Sequence, residues 1–115
     1  MWPSVICERW QIAAVPFPFM ERPASKRRPA LALSRSSFNR ENGHTVFAMI
    51  TTANGESWPS DYAISQIVQA GLTHDCYLRW KLFTLPNSYI IRLIGHLAKK
   101  DQDALALRWK GVFSD

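Results

Sequence analysis

Apolar and polar residues alternate with a period of two along several stretches of the chain, a pattern typical of strands. Residues 12–15 are apolar and run into "PFPF", where two prolines enforce an extended path. In "PALALS", Leu31 and Leu33 share one face, and proline is tolerated at the first position of a strand. "TVFAMITT" is rich in β-branched and aromatic residues and predicts a third strand that ends near Thr51.

The second half of the chain continues this pattern and then changes period. "YAI" predicts a short strand, residues 76–85 alternate again, and "SYIIRLIGHL" predicts a last long strand. From about Lys99 four apolar residues recur at helical spacing: Leu105, Trp109, Val112 and Phe113. Strands followed by one helix predict a mainly β fold, a small curled antiparallel sheet or barrel with the C-terminal helix packed on it.

Two connecting segments stand out between the strands. Residues 18–27 predict a long loop that is strongly basic at its far end, which makes it a candidate functional loop. "RSSFNRENGH" supplies turn residues, and Asn42-Gly43 is its strongest turn signal.

Length and composition favour one domain over residues 1–115, with residues 1–9 as a candidate N-terminal extension. No apolar run approaches the ~20 residues that cross a bilayer, and no signal peptide is recognisable. We therefore expect a cytoplasmic protein without membrane contacts. Cys7 and Cys76 are too few for a disulfide framework and lack zinc-like spacing, so we expect packed thiols and no metal site.

The net charge of +5 is concentrated in the first third of the chain. Residues 1–40 hold seven Lys or Arg against two Glu, whereas residues 41–115 hold seven cations and seven carboxylates. Between Arg22 and Arg40 there are six cations and no carboxylate. This bias suits a polyanion such as nucleic acid or an acidic protein partner, and it is equally compatible with a solvated basic loop.

The chain lacks the standard catalytic motifs: a phosphate-binding glycine loop, a metal-ligand spacing or a nucleophile elbow. The histidines are scattered, and His74 in a polar loop is the hardest to dismiss as structural. Arg28 differs because Pro29 pushes it into the extended region and the following strand holds its backbone. A rigidly held guanidinium suits bidentate phosphate binding and stabilisation of a phosphoryl transition state; the alternative is a surface cation at a strand end.

An ordered set of segments resembles a known family. "VPFPF", "SKRRPALALS", "FAMITT", "WPSDYAI", "AGL" and "RWKLFTLPNSYIIRLIGHL" occur in the order and spacing of MazF/PemK-type toxins of bacterial type II toxin–antitoxin pairs. The resemblance runs from about Trp10 to Phe113. It depends on the ordered set, since no single segment is specific.

The resemblance implies an SH3-like antiparallel β-barrel, usually a homodimer, that cleaves single-stranded RNA without metal or other cofactor and has a cognate acidic antitoxin protein as partner. In such enzymes the ribose 2′-hydroxyl attacks the adjacent phosphate and leaves a cyclic phosphate and a free 5′-hydroxyl. The family's catalytic arginine and threonine fall on Arg28 and Thr51. We expect Arg28 to stabilise phosphoryl charge instead of acting as a base, because a guanidinium is a very weak acid, and Thr51 to donate a hydrogen bond.

Further residues are candidates for RNA contacts. Lys26 and Arg27 are expected to bind flanking phosphates, which would make binding salt-dependent. Arg79 would extend the groove, although a solvated strand face explains it as well. Phe17 and Phe19 are candidates for base stacking, and packing in the core or loop is an equally good explanation for both.

Departures from the family pattern keep other interpretations open. Trp10-Gln11 stands where Gly-Asp commonly opens the first strand, and Ala98 stands where a helix-capping serine is usual. A catalytically inactive barrel that binds RNA or an acidic antitoxin tail is one alternative. An SH3-like module for proline-rich peptides is another, and it would need an aromatic-lined groove.

Overall fold

The framework of the protein is one antiparallel sheet. The computed structural model describes residues 5–17 and 26–115. The sheet has the order β4-β5-β3-β2-β1-β6 and consists of β1 (Gln11–Phe17), β2 (Lys26–Ala32), β3 (His44–Thr52), β4 (Tyr62–Ala63), β5 (Cys76–Pro86) and β6 (Arg92–His96). The other elements are α1 (Ser36–Asn42), a single 3₁₀ turn (Asn87–Tyr89) and α2 (Lys99–Phe113).

The expected fold, a curled antiparallel sheet with a C-terminal helix, is confirmed. Within the described ranges, no helix has the length and apolar character that a membrane span requires.

Alternate residues of the strands form two apolar clusters, one on each face of the sheet. The helix-side cluster lies between the sheet and α2; it includes Ile12, Leu31, Ala48, Ile50 and Leu78 of the strands and Leu105 of α2. The far face includes Ala13, Val15, Ala30, Ala32, Phe47 and Leu85. Burial on both faces explains why "PALALS" is apolar at almost every position, since each face of the strand contributes to a core.

The segment expected to be a turn before β3 forms the short helix α1. Gly43 ends this helix with φ 64°, the left-handed conformation that glycine adopts at little cost. Asn42-Gly43 is therefore a helix end and the prediction of a turn was wrong. Two neighbouring boundaries also differ: β2 begins at Lys26, before the proline expected to open it, and the last long strand is divided into the 3₁₀ turn and β6.

Buried amides attach α1 to the rest of the structure. The side-chain amide of Asn39, which is fully buried, donates to Cys7 O at 2.8 Å and to Ser34 O at 3.1 Å. Asn87 donates to Asn39 O at 2.8 Å and accepts from the Thr45 hydroxyl at 2.7 Å. Because buried polar groups are costly without partners, this network fixes the position of α1 and of the segment around Cys7.

A buried carboxylate in the first turn of α2 joins this helix to residues 62–66. Asp101 is fully buried. Its Oδ1 accepts from the Tyr62 hydroxyl and from the Ser65 hydroxyl and N–H at 2.8 and 3.1 Å, and its Oδ2 accepts from the Gln66 N–H at 3.1 Å. Burial alone would raise the pKa of Asp101, but these hydrogen bonds outweigh it and the pKa lies below its usual value. The carboxylate is therefore charged and binds the loop to the helix.

The residue before β1 has a backbone conformation that is unusual for its type. Trp10 has φ 76°. Its N–H donates to Ala32 O and its carbonyl accepts from the Leu97 N–H, both at 2.8 Å, so the conformation is held from two sides. Its indole packs against the helix-side cluster and lies 4.4 Å from the Arg9 guanidinium. The position where the related family commonly has glycine thus keeps a glycine-like backbone.

We expect Trp10→Gly to be more stable than Trp10→Ala by about 1 kcal/mol. Both variants lose the indole contacts, but only alanine bears the steric cost of the left-handed region. In an ordinary extended segment the order would be reversed, because glycine is the less favourable residue there. Urea unfolding of the two variants measures the difference, and an alanine variant that is equally or more stable would show that Trp10 is not strained.

Asp101→Asn should destabilise the fold by about 2–3 kcal/mol at pH 7, because an amide cannot accept all the hydrogen bonds made to the carboxylate. The pKa of Asp101 is lower in the folded state, so its stabilisation is present above the unfolded value of about 3.9 and is lost as the pH falls through the folded value. The variant should therefore lose less stability than the parent on acidification.

Asp103→Asn is the matched control for this substitution. Asp103 lies on the same helix, but its side chain is 64% exposed and pairs only with Lys99 at 3.0 Å. Surface pairs of this kind contribute at most about 1 kcal/mol. Denaturant unfolding between pH 3 and pH 7 compares the two, and equal acid sensitivity of Asp101→Asn and its parent would rule out the proposed linkage.

Candidate active site

The sequence-predicted catalytic residues lie at the point where β2 and β3 stop pairing. The two strands pair from Ala32 opposite Phe47 to Ala30 opposite Met49. Extending this register by two residues places Arg28 opposite Thr51. Because side chains two apart share a face, both residues belong to the face of Ala30 and Met49, the far face. Two residues 23 positions apart in sequence thus occupy facing positions just beyond the end of the β2–β3 pairing.

Pro29 accounts for the end of this pairing. The Leu33 N–H donates to Val46 O of β3 at 2.8 Å. Backbone groups alternate in direction along a strand, so the nitrogen of residue 29 also faces β3, at the level of Ile50. Proline has no N–H to donate there. The ladder of paired residues between β2 and β3 therefore ends at Ala30, two residues from the level of Arg28 and Thr51.

The backbone of Arg28 is held from the other side. Arg28 is paired with Val15 of β1, in a regular register that continues to Phe17 opposite Lys26. Its side chain is exposed. Thr51 is half-buried on β3 and pairs with Tyr77 of β5. An anchored guanidinium with five N–H donors therefore faces the same region as a hydroxyl donor, an arrangement suited to the oxygens of a phosphate.

The other two cations of this cluster point to different faces. Lys26, Arg27 and Arg28 are consecutive in β2 and all exposed. Since successive side chains of a strand alternate, Lys26 shares the face of Arg28, and Arg27 lies on the opposite one. Of the two residues predicted to bind flanking phosphates, Lys26 is the better placed. Their predicted position on a loop was wrong, because the hairpin of β1 and β2 extends to Lys26.

Arg79 lies on the site's face of the sheet, opposite Met49, and it already has an anionic partner. Its Nε donates to Asp61 Oδ1 at 3.1 Å, and one Nη donates to Asp61 Oδ2 at 2.8 Å and to Glu56 O at 3.2 Å. The side chains of Arg79 and Asp61 are only 13% and 3% exposed. The guanidinium also lies over the indole of Trp58, 5.0 Å from the ring centroid.

The ion pair shifts both titrations. The hydrogen bond from Arg79 is the main cause of the low pKa of Asp61, and burial opposes it only in part. The same hydrogen bond raises the pKa of Arg79. Binding of a phosphate to Arg79 would have to displace Asp61, so its role as an RNA contact stays a prediction. Sequence analysis missed Asp61 and Trp58 because "WPSD" contributes only loop residues to the pattern.

Of the two phenylalanines proposed to stack on bases, one belongs to a described strand. Phe17 is the last residue of β1, opposite Lys26. Phe19 lies outside the described residues. Their proposed contacts with RNA stay predictions.

Comparison with solved structures identifies proteins of the same fold. MazF from Deinococcus radiodurans superposes with a TM-score of 0.74 at 13% identity, with 96% of this chain and 99% of that chain covered. Mycobacterium tuberculosis toxin MazF-mt6 has a TM-score of 0.71 at 22% identity, covering 90% and 95% of the two chains. An endoribonuclease in complex with its cognate antitoxin, from a mycobacterial species, has a TM-score of 0.69 at 14% identity, covering 92% and 91%.

Sequence comparison assigns the family. A search of curated protein sequences gives no significant match. The model of the PemK-like, MazF-like toxins of type II toxin–antitoxin systems matches residues 8–113, which include every element of the sheet and both helices. The chain therefore belongs to the PemK-like, MazF-like toxin family of type II toxin–antitoxin systems.

Proposed function

We propose that the protein is an endoribonuclease toxin that cleaves single-stranded RNA without a metal ion. The observation that carries the proposal is the alignment of Arg28 with Thr51 across the end of the β2–β3 pairing, on one face of the sheet. Membership of the toxin family supports it, as does the endoribonuclease among the structures of the same fold. The two residues both supply hydrogen-bond donors for the oxygens of a phosphate.

In the proposed reaction the ribose 2′-oxygen attacks the adjacent phosphorus and the bond from phosphorus to the 5′-oxygen breaks. Solvent water takes the proton of the 2′-hydroxyl and supplies one to the leaving 5′-oxygen, so the products are a cyclic phosphate and a 5′-hydroxyl. Negative charge accumulates on the non-bridging oxygens as the fifth bond forms. Arg28 opposes this charge with a fixed guanidinium, and the Thr51 hydroxyl donates a hydrogen bond to it.

RNA would lie across the exposed end of the far face, beyond the buried cluster, where Lys26 and Arg28 are exposed. Lys26 lies on the same face as Arg28, two residues before it on β2, where it can contact a neighbouring phosphate. Contacts of this kind release counterions, so affinity should fall as salt increases. An exposed, extended site accommodates a single strand, whose backbone can follow the strand direction, better than a duplex.

We also propose an antitoxin partner and a homodimer. The structures of the same fold include an endoribonuclease in complex with its cognate antitoxin and MazE–MazF complexes from Deinococcus radiodurans. On α2, the apolar stripe expected to be buried is half exposed: Trp109, Val112 and Phe113 are 38%, 39% and 51% exposed. With Phe38, Trp109 lines an open cleft of about 430 Å³. Apolar patches of this kind mark association surfaces, and sedimentation at micromolar concentration distinguishes a dimer from a monomer.

The cytoplasmic location expected from the sequence stays a prediction.

The function is tested by cleavage of a mixed-sequence single-stranded RNA in excess EDTA. We expect the wild type to cleave and Arg28→Ala to lose at least about 100-fold in rate, because removal of one preorganised donor has effects of that size. Thr51→Ala should reduce the rate with little change in RNA affinity. Both residues are partly or fully exposed at a strand end, so thermal stability should change little.

Matched controls separate the site from general charge and strand effects. Arg40→Ala removes an equal charge from α1, and Thr52→Ala removes the neighbouring hydroxyl, which points to the other face of β3. Both should cleave at the wild-type rate. Retained cleavage in a folded Arg28→Ala variant would remove Arg28 from the mechanism. Salt-sensitive RNA binding without cleavage by the wild type would favour the catalytically inactive barrel.

A further inference from the structure

Trp58 is an exposed aromatic residue with one face already covered. It lies in the loop of residues 53–61, which joins β3 to β4 immediately after Thr51 and Thr52. Its indole is 42% exposed, although the Arg79 guanidinium lies 5.0 Å from its ring centroid. A tryptophan that only covered an ion pair would gain stability from deeper burial. The exposed fraction leaves ring surface available to a planar ligand.

The backbone of Trp58 is anchored beside Arg79. The Trp58 backbone N–H donates to Asp61 Oδ2 at 2.9 Å, and the Asp61 backbone N–H donates to Trp58 O at 3.0 Å. Asp61 is in turn bound by two nitrogens of Arg79, whose strand belongs to the sheet. Carboxylate, guanidinium and indole therefore form one unit, which we call the Trp58 platform (Trp58, Asp61 and Arg79). Little conformational entropy remains to be lost when a ligand stacks on it.

The Trp58 platform lies beside the proposed catalytic pair. Thr51 is opposite Tyr77, and Met49 is opposite Arg79. Arg79 is therefore the diagonal neighbour of Thr51 on the same face of the sheet, a position about 7–8 Å away. The loop that carries Trp58 begins at the end of Thr51's own strand. An RNA with one phosphate between Arg28 and Thr51 would place a nearby base within reach of the indole.

We infer that Trp58 is a stacking platform for one unpaired base next to the scissile phosphate, with Arg79 and Asp61 as its positioning residues; this inference rests on the proposed endoribonuclease function. Stacking on an aromatic ring accepts every base, because each has a π-face. The platform would therefore contribute to affinity and to placement of the phosphate, with modest preference among bases. Arg79 then acts on RNA through Trp58 and needs no phosphate contact of its own.

The inference is tested by a double-mutant cycle between Trp58 and an abasic RNA. The cleavage site of the wild type is first mapped, and abasic nucleotides are then substituted one at a time on each side of it. At one position, loss of the base should lower kcat/KM between about 5-fold and 150-fold, the range for one stacked base. Trp58→Ala should cause a similar loss on intact RNA and no further loss on that abasic RNA.

Conservative variants distinguish stacking from a structural role. Trp58→Phe should keep most of the activity and the sensitivity to the abasic substitution. Arg79→Lys keeps the charge but loses the bidentate pair, so it should weaken the coupling between Trp58 and the base. Tyr89→Ala is the control: Tyr89 is 49% exposed but follows the end of β5 that is distant from Arg79. It should leave kcat/KM and the abasic profile unchanged.

The possible failures are distinguishable. Suppose that the wild type cleaves RNA, but that at every position the fold-loss in kcat/KM from Trp58→Ala multiplies with the fold-loss from the abasic substitution. Trp58 then only covers the ion pair, and the inference is overturned while the proposed function stands. If the wild type neither cleaves nor binds single-stranded RNA, the proposed function fails and the inference fails with it.

Discussion

The absence of one amide hydrogen determines where this protein has its candidate site. Pro29 occupies a position of β2 whose nitrogen faces β3, and the pairing of the two strands ends at the next residue. On the other edge, β2 stays paired with β1 as far as Lys26. Arg28 therefore has a fixed backbone and an open side toward Thr51. The same proline that would only weaken a strand elsewhere here coincides with the end of the pairing between two strands, while the rest of the sheet stays paired.

The remainder of the fold supplies the rigidity that such a site requires. Apolar clusters on both faces hold the sheet, and the buried Asp101 binds α2 to the loop after β4. At the end of β3 the Arg79–Asp61 pair holds the loop that follows Thr51. Site residues held by strands and buried ion pairs lose little entropy on binding, which favours a preorganised phosphate site over one that orders around its ligand.

Local patterns predicted the parts of the structure that depend on burial. The alternation of apolar residues located the strands; residues 76–85, for example, form almost the whole of β5. The same signal could not identify α1, because Asn42-Gly43 serves equally as a hairpin turn or a helix end, and only packing of Asn39 against Cys7 and Ser34 selects the helix. The half-exposed aromatic stripe of α2 was equally invisible, since helical spacing does not say what covers a face.

The candidate site was predictable only in part, for a similar reason. The resemblance to a family identified Arg28 and Thr51 as candidate catalytic residues. Their alignment across the sheet depends on the register of β2 and β3, which the sequence alone does not specify. The pairing of Arg79 with Asp61 joins residues 18 positions apart on different elements, and no periodicity reports it. Trp10 is the opposite case. It stands where the family commonly has glycine, and the structure shows that this position has a positive φ.

The central claim is that the ribose 2′-oxygen is the nucleophile and that Arg28 and Thr51 stabilise the resulting phosphorane. The most direct measurement replaces a single 2′-hydroxyl by hydrogen in an RNA oligonucleotide, at the nucleotide on the 5′ side of a mapped cleavage position, with EDTA present. Our account predicts that cleavage at this position disappears, while the same replacement several nucleotides away leaves it unchanged. Undiminished cleavage of the singly substituted RNA would contradict the account, because the attacking group would then have to be water or a protein side chain.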